Sequence, residues 1–417
     1  MTPGAQSPSA KAALVYVPGL EGTGPAQSAD VIARKMVAAL ERASPPSVSF
    51  GTREGKDEEY GQEAPKAKTR VRTIVRNEEG VETPLLDVYD IEYGPQLRSR
   101  FEGRILLLQI VQLLWTLVAS VPRHVIALGR KSKSAGHKLQ MIWVSAILVI
   151  LASYTGVLLY GLWLGATSLT SAGQGPPAAS AAGSAPAGMP AEGGLDAAVV
   201  KAILILGGLG ALSRQSAKEL LRKIAVEYVC ALSYLRAGER RAALSGQLLA
   251  LLDHVGERRP PHERVHVLSY SFGSVVALDA LFDENPPAAR LERFGTLVTV
   301  GCPFDLIRSY WPRYFADRRA RVPEEAKWIN VYAPNDVLGS NFRDDARDEA
   351  ATAGISTGSG AGRIVPENVV HRRVGSGAGA VEALLLGGFR AHRTYWDPDD
   401  PNEVSCFDQL AARLVVT

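Results

Sequence analysis

Apolar residues recur along the first hundred positions at spacings typical of strands and helices. In chain order they predict a strand, a helix and two further strands: residues 12–21, 30–42, 69–76 and 85–93. The first strand runs into Pro18 and Gly19, so these elements open with a strand-loop-helix unit. Residues 51–68 are charged and contain glycines, which predicts a solvated loop.

The last two hundred residues repeat this alternation. In chain order they predict helices at 217–236 and 240–254, a strand and helix within 264–281, strands at 295–304, 327–333 and 369–374, a loop at 388–398 and a helix at 403–415. Such alternation predicts an α/β fold, with a mostly parallel sheet and helices on both faces. Chemistry in such sheets gathers at the carboxyl ends of the strands.

Three apolar runs separate the two ends of the chain: residues 105–121, 139–165 and 197–212. The second run has no charged residue and is about 40 Å long as a helix, so we expect it to span a bilayer. The third carries Lys201 near its start, where the ammonium group can reach the headgroups. The first contains two glutamines and ends at Pro122; it could span, lie in the interface or pack on the protein.

The number of crossings must be even if both ends of the chain build one sheet. Basic segments 123–138 and 214–223 favour the cytoplasmic side, which pairs the second and third runs as a hairpin joined by the flexible segment 167–194. The first run is then a monotopic or re-entrant helix. Pairing runs one and two instead would place a basic loop outside. The predicted division is a soluble part, a transmembrane helical insertion and a second soluble part: residues 1–103, 104–213 and 214–417.

Composition narrows the possible partners and compartment. The net charge of +3 in 417 residues argues against nucleic acid as the main partner. The three cysteines have no C-x-x-C spacing, which fits a reducing compartment and excludes a cysteine-built zinc site. Asp253, His254 and His262 lack the helical spacing of a metal-binding motif. The first twelve residues contain no apolar core of an export signal, so we expect no cleaved signal.

The segment Ser269-Tyr270-Ser271-Phe272-Gly273 joins a β-rich run to a helical run. A serine on such a sharp turn needs small residues two positions away on either side, and Ser269 and Gly273 meet that need. The pattern therefore indicates a nucleophile elbow. Its usual form is G-x-S-x-G, and an ordinary strand-turn-helix junction is the alternative interpretation.

The chain resembles the α/β-hydrolase superfamily, and more closely its bacterial lipase-like serine hydrolases. The resemblance covers both soluble parts and rests on five segments: residues 17–20, 269–273, 299–304, 335–336 and 391–396. The order nucleophile, acid, histidine is also that of the family. The chain departs from the family pattern with Ser269 for glycine, Pro18 where histidine is frequent, and Cys302 where serine is common.

The resemblance implies catalytic roles for three residues of the chain. Ser271 would be the nucleophile, His392 its base, and Asp336 the carboxylate that orients the base. Backbone N–H groups of Leu20 and Phe272 would form the oxyanion hole. No cofactor or metal is needed. His371 is an alternative base, and Asp305 and Asp397 are alternative acids.

We expect a membrane-anchored serine hydrolase that cleaves a carboxylic ester of a lipid or another small lipophilic acyl substrate. The expected partner is the lipid bilayer, with the hydrolase part at the cytoplasmic face of a bacterial inner membrane. The same residues could also cleave a thioester or an amide, and the sequence does not indicate an oligomeric state. The alternative is a catalytically silent scaffold or interaction protein with the same fold. A transporter would require oligomerisation, since two or three apolar runs are too few for a pore.

Overall fold

The computed structural model describes residues 10–20, 29–61, 66–93, 97, 103–104, 106–129, 140–149, 151–153, 155–156, 159–160, 163, 215–236, 238–283, 291–320, 322–343, 350–356, 363–371, 391–396 and 405–415. The chain divides into two compact units. Unit 1 comprises Met1–Leu97, Ala127–Trp143 and Ser233–Thr417, and unit 2 comprises Arg98–Ile126 and Val144–Leu232.

Fourteen strands are described, all in unit 1: β1 (Ala12–Val17), β2 (Val48–Glu54), β3 (Glu58–Tyr60), β4 (Ala67–Thr69), β5 (Val71–Glu78), β6 (Val81–Asp90), β7 (Arg264–Tyr270), β8 (Phe282–Asp283), β9 (Phe294–Val300), β10 (Arg319–Ala320), β11 (Lys327–Tyr332), β12 (Ile355–Ser356), β13 (Arg363–Ile364) and β14 (Glu367–Val370). Eight form the central sheet, in the order β14-β11-β9-β7-β1-β6-β5-β2. A small sheet has the order β13-β12-β10-β8, and β3 pairs with β4.

The central sheet is mostly parallel, as the alternation of strands and helices predicts. Strands β14, β11, β9, β7, β1 and β6 are parallel, whereas β5 and β2 add an antiparallel edge. Strand β1 pairs with β7 from Ala12 opposite Arg264 to Val17 opposite Ser269. Residues before and after the apolar runs therefore build one sheet. All six residues of β1 are buried, which explains why it lacks a polar face.

The described helices are α1 (Ala29–Ala43), α2 (Leu106–Gly129), α3 (Gln215–Arg236), α4 (Gly238–Glu257), α5 (Phe272–Leu281), α6 (Phe304–Tyr310) and α7 (Cys406–Val415). Helix α1 buries Ile32, Met36 and Leu40 at four-residue spacing. These side chains share a core with α7 and with alternate residues of β1, including Tyr16. Helices α4 and α5 pack on one another, and both contact β7.

The predicted loop at residues 51–68 is wrong, because this segment contains the end of β2, all of β3 and most of β4. Strand β2 pairs with β5 from Val48 opposite Glu78 to Glu54 opposite Arg72. It lies at the edge of the sheet, and its seven side chains are half-buried or exposed. Exposed positions accept charged residues, so the segment carries the composition of a loop while its backbone is paired.

Helix α2 continues through Pro122 to Gly129, beyond the end of the first apolar run. Proline removes one backbone donor from a helix interior but does not end this helix. Among the described residues, Leu108–Gly129 is the one helix long and apolar enough to cross a membrane, a property that buried helices of soluble proteins share. A shorter apolar helix spans Gln140–Ser153. Segments 167–194 and 197–212 lie outside the described residues.

Candidate active site

Ser271 occupies the sharp turn between β7 and α5. Its backbone has φ 52° and ψ −127°, a positive φ that a non-glycine residue rarely adopts. The Ser271 N–H donates to the Val300 carbonyl at 2.8 Å, and its carbonyl accepts from the Ser274 N–H at 3.0 Å. These bonds hold the turn at the carboxyl end of the central strands, where the side chain is half-buried.

The loop after β1 closely approaches this turn. A Cβ atom at Gly273 would lie 2.1 Å from the Pro18 carbonyl oxygen, so only glycine fits there. A Cβ atom at Gly19 would lie 3.0 Å from the Ser271 Cβ. The Tyr93 hydroxyl donates to the Pro18 carbonyl and helps to fix the loop. Leu20, which follows Gly19 in the same loop, is buried.

Ser269 replaces the first glycine of the usual elbow pattern and is fully buried. Its hydroxyl donates to the Val298 carbonyl at 2.9 Å, in the neighbouring strand β9. The turn therefore accommodates a hydroxymethyl group at this position because the sheet supplies an acceptor for its proton.

Ser271, His392 and Asp336 form a continuous chain of hydrogen bonds. His392 Nε2 lies 2.7 Å from Ser271 Oγ, and His392 Nδ1 lies 2.9 Å from Asp336 Oδ2 and 3.1 Å from Oδ1. His392 is 3% exposed and Asp336 5% exposed. A carboxylate can only accept, so it selects the tautomer with the proton on Nδ1, which leaves Nε2 to accept from the serine hydroxyl.

The Asp336 carboxylate receives two further hydrogen bonds. The Leu338 N–H donates to Oδ1 at 2.8 Å, and the Tyr395 hydroxyl donates to Oδ2 at 2.8 Å. The same hydroxyl accepts from the Ala333 N–H at 2.8 Å. Burial, with the neighbouring carboxylate as a second cause, raises the pKa of Tyr395 well above its usual value, so the phenol keeps its proton.

Tyr270 contacts His392 in two ways. The two rings stack with centroids 5.3 Å apart, and the Tyr270 hydroxyl donates to the His392 carbonyl.

Two glycines complete the packing around the Asp336 carboxylate. Gly301 has φ 59°, and a Cβ atom at Gly339 would lie 2.6 Å from Asp336 Oδ2. Side chains larger than hydrogen at Gly339 would therefore displace the carboxylate.

The alternative candidates lie elsewhere or are bonded differently. His371 follows β14 and packs on the Tyr395 ring at 5.4 Å. Asp305 lies in α6, with Oδ1 3.3 Å from Arg308 Nη2. Asp397 lies outside the described residues. His262 bonds to Tyr89 and the Ala10 carbonyl, and the described part of the chain contains no group of three or more potential metal ligands.

Sequence reasoning singled out Ser271, Asp336 and His392 but missed the roles of Tyr395 and Gly339. Tyr395 lies three residues after His392, within a segment already noted, yet its partners are about sixty residues away in the chain. Gly339 lies three residues after Asp336, but no sequence motif distinguishes it from the other glycines of the chain. Comparisons with protein-family models, curated proteins and solved structures give no match for this chain.

Proposed function

We propose that this protein is a serine hydrolase of the α/β-hydrolase superfamily that cleaves a carboxylic ester through an acyl-enzyme. The observation that carries the proposal is the chain of hydrogen bonds from Ser271 through His392 to Asp336, placed at a strained strand-to-helix turn. Serine is a weak nucleophile unless a base takes its proton, and His392 Nε2 is at the right distance to do so.

In the first half-reaction, Ser271 Oγ attacks the ester carbonyl carbon while its proton passes to His392 Nε2. Asp336 stabilises the imidazolium that results without accepting the proton. The tetrahedral intermediate then expels the alcohol, which takes the proton from Nε2. In the second half-reaction, a water molecule gives a proton to Nε2 and attacks the acyl carbon. The second tetrahedral intermediate releases the carboxylic acid and expels Ser271 Oγ, which takes the proton back from Nε2.

The negative charge on the tetrahedral intermediate needs preorganised donors. The N–H of Phe272, directly after Ser271, is one candidate because it opens helix α5. The N–H of Leu20 is the other, supported by the close approach of Gly19 to Ser271. The positive end of the α5 dipole favours negative charge at the same place.

We further propose attachment to a bilayer and a lipophilic acyl substrate. Support comes from the apolar character of α2 and of the run that follows it. Attachment would raise the concentration of membrane-dissolved esters around Ser271 without any new contact to the substrate.

The test is hydrolysis of a panel of short-chain and long-chain esters and phospholipids by the full chain in detergent. We expect turnover by wild type, a preference for long acyl chains, and loss of at least a thousandfold in kcat for Ser271→Ala. Ester turnover that Ser271→Ala leaves unchanged would contradict the proposal. A folded protein without turnover of any ester in the panel would instead favour the catalytically silent scaffold.

A further inference from the structure

Helix α2 exposes only apolar residues among those described, whereas three of its polar side chains are buried and its other polar side chains are half-buried. Every exposed position from Leu108 to Gly129 is nonpolar, including Trp115, Val118 and Ile126, which are 60–67% exposed. The buried positions include Thr116, Ser120 and His124. A helix that faces water has the opposite arrangement, so the exposed face of α2 is adapted to an apolar environment.

The buried polar groups of α2 are bonded within unit 2. The Ser120 hydroxyl donates to the Thr116 carbonyl at 2.6 Å, and His124 Nε2 lies 2.6 Å from Ser145 Oγ. Internal pairing of polar groups is what a helix in contact with hydrocarbon requires, because lipid offers them no partner. Unit 2 also exposes apolar residues of its second run, Val149 and Trp163. An apolar exposed surface on both runs fits a bilayer better than one protein partner.

The path of the chain decides how α2 meets the bilayer. The chain leaves unit 1 after Leu97, before α2 begins, and re-enters it at Ala127, in the last turn of α2. Within unit 1, Gln140 Nε2 donates to the Gly339 carbonyl at 3.4 Å. A single crossing by α2 would deliver the chain to the opposite side of the membrane, away from the unit it re-enters.

The chain cannot cross the bilayer a second time between leaving and re-entering unit 1, because the segments that flank α2 are too short. Eight residues, 98–105, lie between unit 1 and Leu106, and ten residues, 130–139, lie between Gly129 and Gln140. As helices these segments would reach only about 12 Å and about 15 Å. The hydrocarbon core is about 30 Å thick, and backbone that crosses it must be helical or in a barrel. We infer that α2 does not cross the bilayer but lies in its plane, with the face of Leu108, Trp115 and Ile126 in contact with lipid. This inference rests on the proposed membrane attachment.

The experiment measures the depth of three spin labels in the full chain, reconstituted into phosphatidylcholine vesicles. Leu108→Cys, Trp115→Cys and Ile126→Cys each carry a nitroxide, and the native cysteines are buried and protected from labelling. These positions share one face, since seven and eighteen residues are close to whole numbers of helical turns. Depth is obtained from collision with oxygen, which partitions into lipid, and with a water-soluble nickel chelate.

We expect equal depths at the three sites, within about 5 Å, near the boundary of headgroups and acyl chains. A helix along the membrane normal would separate Leu108 from Ile126 by about 27 Å, in opposite leaflets, and would overturn the inference. Labels reached mainly by the nickel chelate would show a face in water, and labels protected from both agents would show a protein partner; either result also overturns it. Sedimentation with the vesicles tests attachment separately, and an inert Ser271 would leave the depths unchanged.

Discussion

The Tyr395 hydroxyl donates to Asp336 Oδ2 at 2.8 Å, and that same oxygen lies 2.9 Å from His392 Nδ1. Because the hydroxyl also accepts from the Ala333 N–H, Tyr395 connects the backbone after β11 to the carboxylate. Asp336 thereby has a fixed orientation before any substrate arrives. Under the proposed mechanism, this preorganisation makes Tyr395 a positioning residue for His392.

Replacing Tyr395 by phenylalanine removes the hydroxyl and keeps the ring. We expect a fall in kcat of about ten- to a hundredfold with little change in KM, since hydrogen bonds to charged groups contribute about 1.5–3 kcal/mol. The matched control is Tyr16→Phe, because the Tyr16 hydroxyl is buried without a hydrogen-bond partner among the described residues. Steady-state ester hydrolysis is the measurement. Equal kcat values for Tyr395→Phe and Tyr16→Phe would show that the hydroxyl does not position Asp336.

Gly339→Ala tests whether catalysis depends on the position of the Asp336 carboxylate. The new methyl group would lie 2.6 Å from Asp336 Oδ2 and 3.1 Å from the Tyr395 hydroxyl oxygen, so the carboxylate must move. We expect kcat to fall at least tenfold in the ester assay. Gly246→Ala in helix α4 is the control: its added methyl group meets no atom within 4 Å, and alanine should stabilise the helix by about 0.5–1 kcal/mol. Wild-type kcat for Gly339→Ala would contradict this prediction.

The local sequence pattern predicted the serine, the acid and the histidine of this site but not the residues that hold them in place. Ser271 lies at a junction of two periodicities, and Asp336 follows a buried strand closely, so both positions are readable from nearby residues. Tyr395 differs, because its hydrogen bonds join residues about sixty positions apart and depend on how the loops fold back. The edge strand β2 was missed for another reason, since its exposed charges carry a loop-like composition.

A buried ion pair holds the far end of helix α5. Arg318 Nη1 lies 2.5 Å from Asp279 Oδ1, both side chains are at least 93% buried, and the Tyr234 hydroxyl donates to Asp279 Oδ2 at 2.8 Å. Arg318→Met leaves the carboxylate buried without its cation, so we expect the free energy of unfolding to fall by about 3–5 kcal/mol. Urea denaturation followed by circular dichroism measures it. Adding Asp279→Leu to Arg318→Met should recover part of the loss, whereas a loss below about 1 kcal/mol for Arg318→Met would refute the prediction.

His266 makes stability dependent on pH. It is fully buried in β7, and burial, with Arg264 as a second cause, lowers its pKa to about 4. Between about pH 6.5 and pH 4 the unfolded chain binds a proton that the folded protein does not, so stability falls as pH falls, by about 3 kcal/mol in total. His266→Leu should reduce this slope in denaturation curves. It should not abolish the slope, because burial also lowers the pKa of His262. An unchanged slope would mean that His266 takes up its proton in the folded state.

The central claim, that Ser271 is an activated nucleophile, is tested most directly by locating the adduct of a fluorophosphonate probe. Wild type and Ser269→Ala should both be labelled, with the adduct mapped to Ser271 by peptide mass spectrometry. Ser271→Ala should remain unlabelled, because the Ser269 hydroxyl is buried and bonded to the Val298 carbonyl. Equal labelling of wild type and Ser271→Ala, or no labelling of folded wild type, would contradict the claim.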